Sequence, residues 1–283
     1  MPNFVVLLPP SANKQPGGNP FAPDMFDYRT SNTFNYFSDL NPKRRELIGA
    51  LQSAMSEADD PAELFPELEG FDLEEAVRVN EEIYEAPLMS ALDRYSPGAL
   101  YSATDFADLP TGAQRRMLEN GVIFSGLFGL LRPDDLVPNY HLRMDAELPE
   151  IGEVGAFWRP HISPALNKTL EDRFVWDFLP EELRAVWDDE HTYAERVQVR
   201  FVDEEGEEPT GEDLLSLQGQ FVNHIVRETL EDLEDTEEWE AIAGFQLDEE
   251  ASTYDEETKT HTLTMVPAPE EEPEEEEEEE VEG

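Results

Sequence analysis

The stretch FVVLLPPSANK near the start of the chain constrains the fold most strongly. Phe4 to Leu8 form a short continuous apolar run that Pro9 and Pro10 stop, which is the pattern of a buried strand. Val197, Val199 and Phe201 alternate with polar residues, so a half-buried strand is predicted there, ending at the turn 203–206. Thr260–Val266 alternates again and reads as a last strand. Leu100–Ser102 suggests a short strand, and Val122–Phe124 fits either a buried strand or a continued helix. Residues 11–38, rich in Pro, Asn, Gly and aromatics, have no period and read as a long loop.

Helical patterns lie between these runs. Asn41 as cap, Pro42 in the first turn and Leu47, Ile48, Leu51 and Met55 on one face predict a helix. Asp72 with Glu75 three residues later makes a capping box ahead of Leu73, Ala76, Val77 and Ile83. Thr111 with Gln114 repeats that box, and Gly121 follows the helix it opens. Glu181–Trp187 reads as helical behind Pro180. Leu214, Leu217, Phe221, Ile225 and Leu233 mark a long amphipathic helix. Strands and helices alternate throughout, so the expected class is α/β, or mixed α+β: a single domain with a mixed sheet and surrounding helices.

Charge is the anomaly of this composition. The 283 residues carry 67 acidic and 19 basic side chains, a net −48. Setting aside the 11 glutamates between Glu270 and Glu282 still leaves −37, so the excess runs through the body. Among the bases Arg outnumbers Lys by 15 to 4. A spread acidic surface with scarce lysine suits a cytoplasmic protein adapted to high salt, because carboxylates hold water and screening weakens their repulsion. The competing reading is acidity that serves a basic partner. Residues 1–266 are expected to form the domain and 267–283 a disordered acidic tail, which could contact such a partner.

The chain has no cysteine, which excludes disulfides, thiolate nucleophiles and cysteine metal ligands. The apolar run Phe4–Leu8 is too short for a signal peptide, and the longest apolar stretch, Gly121–Leu131, is well under the roughly 20 residues that span a bilayer. A soluble, cytoplasmic protein with no membrane partner is expected. There is no Gly-x-Gly-x-x-Gly, Walker loop or Gly-x-Ser-x-Gly elbow. The five histidines are scattered, so no metal site and no cofactor is called for.

The densest polar cluster is SGLFGLLRPDDLVPNYHLRMD, from Ser125 to Asp145. Gly126 and Gly129 permit close approach, and Pro133 and Pro138 fix the chain direction. Arg132, Tyr140, His141 and Arg143 come from this segment. Singly, each arginine is best explained by pairing with local acids such as Asp134 and Asp135. Together, two guanidiniums, a phenol and an imidazole could grip an anion such as phosphate.

With LLPPSANK (Leu7–Lys14) and SGLFGLLRPDDLVPNYHLRM (Ser125–Met144), the chain resembles the YaaA peroxide stress resistance family. Ala99–Ser102, Phe157–Asn167 and Ala243–Phe245 extend the likeness over about residues 4–250. The resemblance implies a mixed α/β domain, a cytosolic role against peroxide, and binding of double-stranded DNA along a positive cleft with a helix–hairpin–helix element. The helices around 42–55 and 72–83 are candidates for that element. It implies no established enzyme activity. In this chain Pro180 and Leu183 depart from the family pattern, and Ser216, Gln218 and Asn223 stand where bases are usual. Each missing base removes a phosphate contact and weakens DNA affinity.

Two function classes follow. In the first, a local basic cleft of Ser11, Lys14, Arg132, Tyr140, His141, Arg143, Arg159 and Lys168 binds DNA and protects it. In the second, Ser11, Lys14, Tyr140 and Arg143 converge in the pocket of an enzyme acting on a phosphorylated or nucleotide-like small molecule. Both expect Lys14, Arg132 and Arg143 to meet in one hollow.

Overall fold

A computed structural model describes residues 3–20, 36–234, 236 and 239–269. Part of the expected loop at 11–38 and the acidic tail from Glu270 lie outside the described residues. The chain opens with β1 (Phe4–Leu8) and passes through α1 (Asn41–Glu57), α2 (Gly70–Glu81), the short β2 (Met89–Ser90), α3 (Ala91–Tyr95), α4 (Ala99–Thr104) and α5 (Thr111–Asn120). It continues through β3 (Gly121–Ser125), β4 (Gly129–Leu131), β5 (Leu136–Val137), β6 (Glu147–Leu148) and β7 (Gly152–Glu153) to α6 (Val154–Leu170). Then come β8 (Phe174–Asp177), α7 (Glu181–Arg184), β9 (Glu195–Phe201), α8 (Gly211–Glu228) and the hairpin of β10 (Phe245–Asp255) with β11 (Thr260–Pro267).

Seven strands form one mixed sheet in the order β10-β11-β9-β8-β1-β3-β4. β1 lies in its interior, parallel to β8 on one side and β3 on the other, with Val6 opposite Gly121 and Phe4 opposite Phe174. All five β1 residues are fully buried. That is the reason the run is unbroken: a parallel central strand is covered on both faces, so neither face has room for a polar side chain. α5 packs on β1 and β3, α8 on β9 and α6 on β4. The expected α/β class with one mixed sheet and surrounding helices is the fold observed.

Some local expectations change. Leu100–Ser102 is helical, inside α4, because Leu100 and Tyr101 are buried together in a turn that packs against α8. Val122–Phe124 is strand. The helix expected at Asp72 begins at Gly70, with Glu69 as its cap. Asn41 does not cap α1; its side chain accepts a 3.0 Å hydrogen bond from the buried Arg44. α1 and α2 are joined by residues 58–69 with a 3₁₀ turn at Pro61–Leu64, and this pair does not establish a helix–hairpin–helix. No helix among the described residues is long and apolar enough to cross a membrane.

Candidate anion-binding site

The sheet has two ends, and its topology decides which residues stand at each. β1, β3 and β8 run parallel, so the segments that follow them gather at one end. The chain leaves β1 toward β3 and leaves β8 toward β9, so neighbouring connections diverge there; open α/β sheets bind ligands at such a point. Lys14 follows β1, and Ser125 ends β3.

Lys14 is half-buried, with its Nζ 5.3 Å from the ring centre of Tyr140 and 5.9 Å from that of Tyr95. Both rings are within the range at which an aromatic face attracts a cation. Among the described residues Lys14 forms no ion pair. Burial, then the nearby Arg94 charge, brings its pKa down to about 8, with Glu67 pulling the other way. Beneath it runs a chain of buried hydroxyls. Tyr140 Oη lies 2.6 Å from Tyr95 Oη and 2.7 Å from Ser125 Oγ, and Ser125 Oγ accepts the Phe128 N–H at 3.0 Å. Burial raises all three phenols of the cluster, Tyr95, Tyr101 and Tyr140, so each is a neutral hydrogen-bonding group.

The backbone around these groups is pinned. Tyr101 donates to the Pro9 carbonyl at 2.7 Å, fixing the point where β1 ends. Arg94, fully buried, donates to the carbonyls of Gln15, Gly17, Pro87 and Val137, so the loop after Lys14 is tied to the element that carries Tyr95. Ser11 lies against Gly98: a Cβ there would stand 2.1 Å from Ser11 Oγ. Gly126 is equally constrained, since a Cβ would meet the Leu142 carbonyl oxygen at 2.2 Å. Its absence lets the Ser125 turn touch the segment carrying Tyr140 and Arg143. Arg44 fixes the same turn by donating to the carbonyls of Phe128 at 2.9 Å and Leu130 at 2.6 Å.

His141 borders the site. Its Nε2 lies 2.6 Å from Glu67 Oε1, and Asn80 clamps its backbone on both sides. Burial holds His141 below its ordinary pKa against the pull of Glu67, so the neutral ring donates Nε2–H. Burial would raise Glu67, but the His141 hydrogen bond and the Arg143 charge leave it lowered. Arg143 stands just outside, paired with both oxygens of Asp145 at 2.7 and 2.5 Å.

The other expected bases fall elsewhere. Arg159 on α6 pairs with Asp188 at 2.6 Å, and both are more than half exposed. Lys168 is exposed in the last turn of α6. Arg132 follows β4, which runs back antiparallel to β3, so it stands at the opposite end of the sheet from Lys14. There it lines a separate hollow with Asn3, Asn120 and Arg173. Lys14, His141 and Arg143 therefore share one neighbourhood, and Arg132 is not part of it. Of the positions lacking bases, Asn223 donates to the Thr104 carbonyl at 2.7 Å, while Ser216 and Gln218 are half-buried on α8.

Tyr95, Tyr101, Ser125, Arg94 and Glu67 were not among the expected site residues. Ser125 opens the densest polar segment, and Arg94-Tyr95 precedes a Ser-Pro-Gly turn; both were visible signals. Glu67 had none, being one carboxylate among 67.

Fold and site together define a class: an α/β protein with a lysine that forms no ion pair among the described residues, set at the carboxyl end of its sheet against buried hydroxyls. The family model described as peroxide stress protein YaaA matches residues 4–251, and the chain belongs to that family. A UPF0246 protein of Streptomyces coelicolor is 32% identical over 185 residues, covering 65% of this chain and 67% of the relative. An uncharacterized protein of Campylobacter jejuni is 29% identical over 142 residues, 50% of this chain and 56% of the relative. A UPF0246 protein of Corynebacterium glutamicum is 31% identical over 167 residues, 58% and 62% respectively. These matches span between about half and two thirds of the relatives' length. Membership supports a role in peroxide stress.

Proposed function

We propose that this chain serves in peroxide stress by holding a phosphorylated or nucleotide-like small molecule at Lys14. One observation carries the reading. In a chain with 67 acidic residues, the Lys14 ammonium lies against two tyrosine rings and has no carboxylate within ion-pair distance among the described residues. An incoming oxyanion supplies the missing counter-charge, and the buried hydroxyls supply hydrogen bonds that a carboxylate-filled site would have spent. With a pKa of about 8, Lys14 also exchanges its proton near neutral pH, which suits a base acting on the bound molecule.

Duplex DNA is the second reading, and Arg143 favours it. That guanidinium is 57% exposed beside Glu67 and His141, so it extends the cationic neighbourhood outward. Against it stand the carboxylates of Asp145 and Asp188, which already occupy Arg143 and Arg159, and the acidic body. Any DNA contact is then local rather than drawn in from a distance.

Labelling tests both readings. Pyridoxal phosphate, a phosphorylated aldehyde, combines with the amine of an unprotonated lysine, and borohydride fixes the adduct for peptide mapping. Lys14 is expected to label faster than Lys43, Lys168 and Lys259, and a nucleoside diphosphate is expected to protect it. Protection by duplex DNA alone, fading with salt, would select the DNA reading. Labelling of Lys14 no faster than Lys168, with no protection by either ligand, would defeat both.

A further inference from the structure

The hollow that holds Arg132 has a chemistry of its own. Asn3 precedes β1, Asn120 precedes β3, Arg173 precedes β8 and Arg132 follows β4, so all four stand at the amino ends of the parallel strands. They line a hollow of about 660 Å³ with Tyr36 and Arg115, within the roughly 300–1,000 Å³ range of small-molecule sites.

Arg132 and Arg173 both line this hollow, close enough for the charge of one to act on the other. Arg173 is held below its ordinary pKa by burial and then by the Arg132 charge, so the two repel. Among the described residues neither forms an ion pair. Arg173 is oriented by one nitrogen, which donates to the Phe4 carbonyl and, at 2.7 Å, to Asn120 Oδ1. Arg132 lies 5.4 Å over the Tyr36 ring and donates one 3.3 Å bond from its side chain, to the Leu118 carbonyl. Its Nε is buried with no hydrogen-bond partner. A guanidinium carries five donors, so most of this capacity is unspent.

Two acids stand in the wall and their charge acts on Arg132, Asp134 more than Glu119, yet neither forms an ion pair with it: Glu119 accepts from Arg115 at 2.7 Å, and Asp134 lies 3.4 Å from the Tyr36 hydroxyl. Asp135, just behind, accepts the backbone N–H groups of Arg132 and Tyr36, and burial raises it to about 6. An arginine kept for structure alone looks different in this molecule. Arg44 is fully buried and spends its nitrogens on the carbonyls of Phe128 and Leu130 and on Asn41.

We propose that Arg132 and Arg173 form a second anion-binding site, taking a small molecule that bears a phosphoryl or comparable dianionic oxyanion group, at the end of the sheet opposite Lys14. The oxyanion sits between the guanidiniums and relieves their repulsion, and Asn3 and Asn120 border its pocket. Guanidiniums remain charged at all accessible pH values, so capture here is insensitive to pH over the range in which Lys14 changes state.

The test uses inorganic pyrophosphate as probe and the full chain at constant ionic strength. Phenylglyoxal modifies arginines, and peptide mapping reads each rate. Pyrophosphate is expected to slow modification of Arg132 and Arg173 about tenfold, the scale of one bidentate charge-assisted contact, while Arg159 is unaffected. The same protection is expected in Lys14→Met, and Arg132→Gln is expected to abolish protection of Arg173. Equal labelling of Arg132 with and without pyrophosphate in the unaltered protein would overturn the proposal. So would loss of Arg132 protection in Lys14→Met, because the two ends would then be one site. The unaltered protein suffices for the first reading even if Arg132→Gln fails to fold.

Discussion

At the carboxyl ends of β1 and β3 one ammonium stands among phenols and a serine, whereas at their amino ends two guanidiniums share an open hollow with carboxylates in its wall. Among the described residues Lys14, Arg132 and Arg173 form no ion pair, yet the chemistry of the two ends differs. Burial can strip a proton from an amine at a pH the protein experiences; it cannot do so to a guanidinium. One end therefore carries a group whose charge varies, and the other a fixed charge. The contrast explains why a chain with four lysines spends one of them where it is half-buried.

The sharpest way to break this contrast is to pry open the first end. In Gly126→Ala the new methyl collides with the Leu142 carbonyl, which is backbone and cannot swing aside. A loss of about 3 kcal/mol or more is expected in urea unfolding, at the upper end of overpacking costs. If the variant folds, pyrophosphate protection of Arg132 should persist.

Next in size is the cost of burying the Lys14 charge. Its pKa falls from 10.5 to about 8 on folding, so between those values the unfolded chain binds more protons and stability rises with pH. Lys14→Met is thus expected to be more stable than the parent by about 3 kcal/mol at neutral pH. That advantage should shrink as pH climbs from 8 toward 10.5, which paired denaturant curves would show. A gap that does not move with pH would mean that Lys14 is not desolvated.

Smaller still is Tyr140→Phe. It removes the hydroxyl shared by Tyr95 and Ser125, and about 1–2 kcal/mol of stability should go with it, because the groups left behind are buried. The smallest effect belongs to Arg143→Ala and Arg159→Ala. Both pairs are more than half exposed, so under about 0.5 kcal/mol is expected for either. A larger loss at Arg143 would show that it belongs to the Lys14 end rather than to its rim.

How much of this could be read in the sequence depends on how local the cause was. Phe4–Leu8, Glu195–Phe201 and α8 declare themselves because burial imposes an apolar pattern on neighbouring residues. β10 does not: it is an outer strand, mostly exposed, with an irregularity between Asp248 and Thr253 that breaks any alternation. Lys14, Tyr140 and His141 were legible because they sit in dense motifs. The separation of Arg132 from Lys14 was not. Ser125 and Arg132 are close in sequence, but a tight hairpin between them turns the chain back antiparallel along β3, from Ser125 to Ile123. Only the strand pairing reveals that proximity along the chain here means opposite ends in space. Tyr95 was hidden for the converse reason, since its partner Tyr140 is 45 positions away.

The two aromatic rings beside Lys14 have one further effect. In brine near 1 M, ions cloak exposed charges within about 3 Å, so attraction relying on surface residues fades. A cation walled in by rings is reached by few of those ions, and its grip on a bound anion should outlast the rest. If Lys14 holds an anion as proposed, the shelter of its rings would let that contact persist in water salty enough to silence the exterior of so acidic a chain.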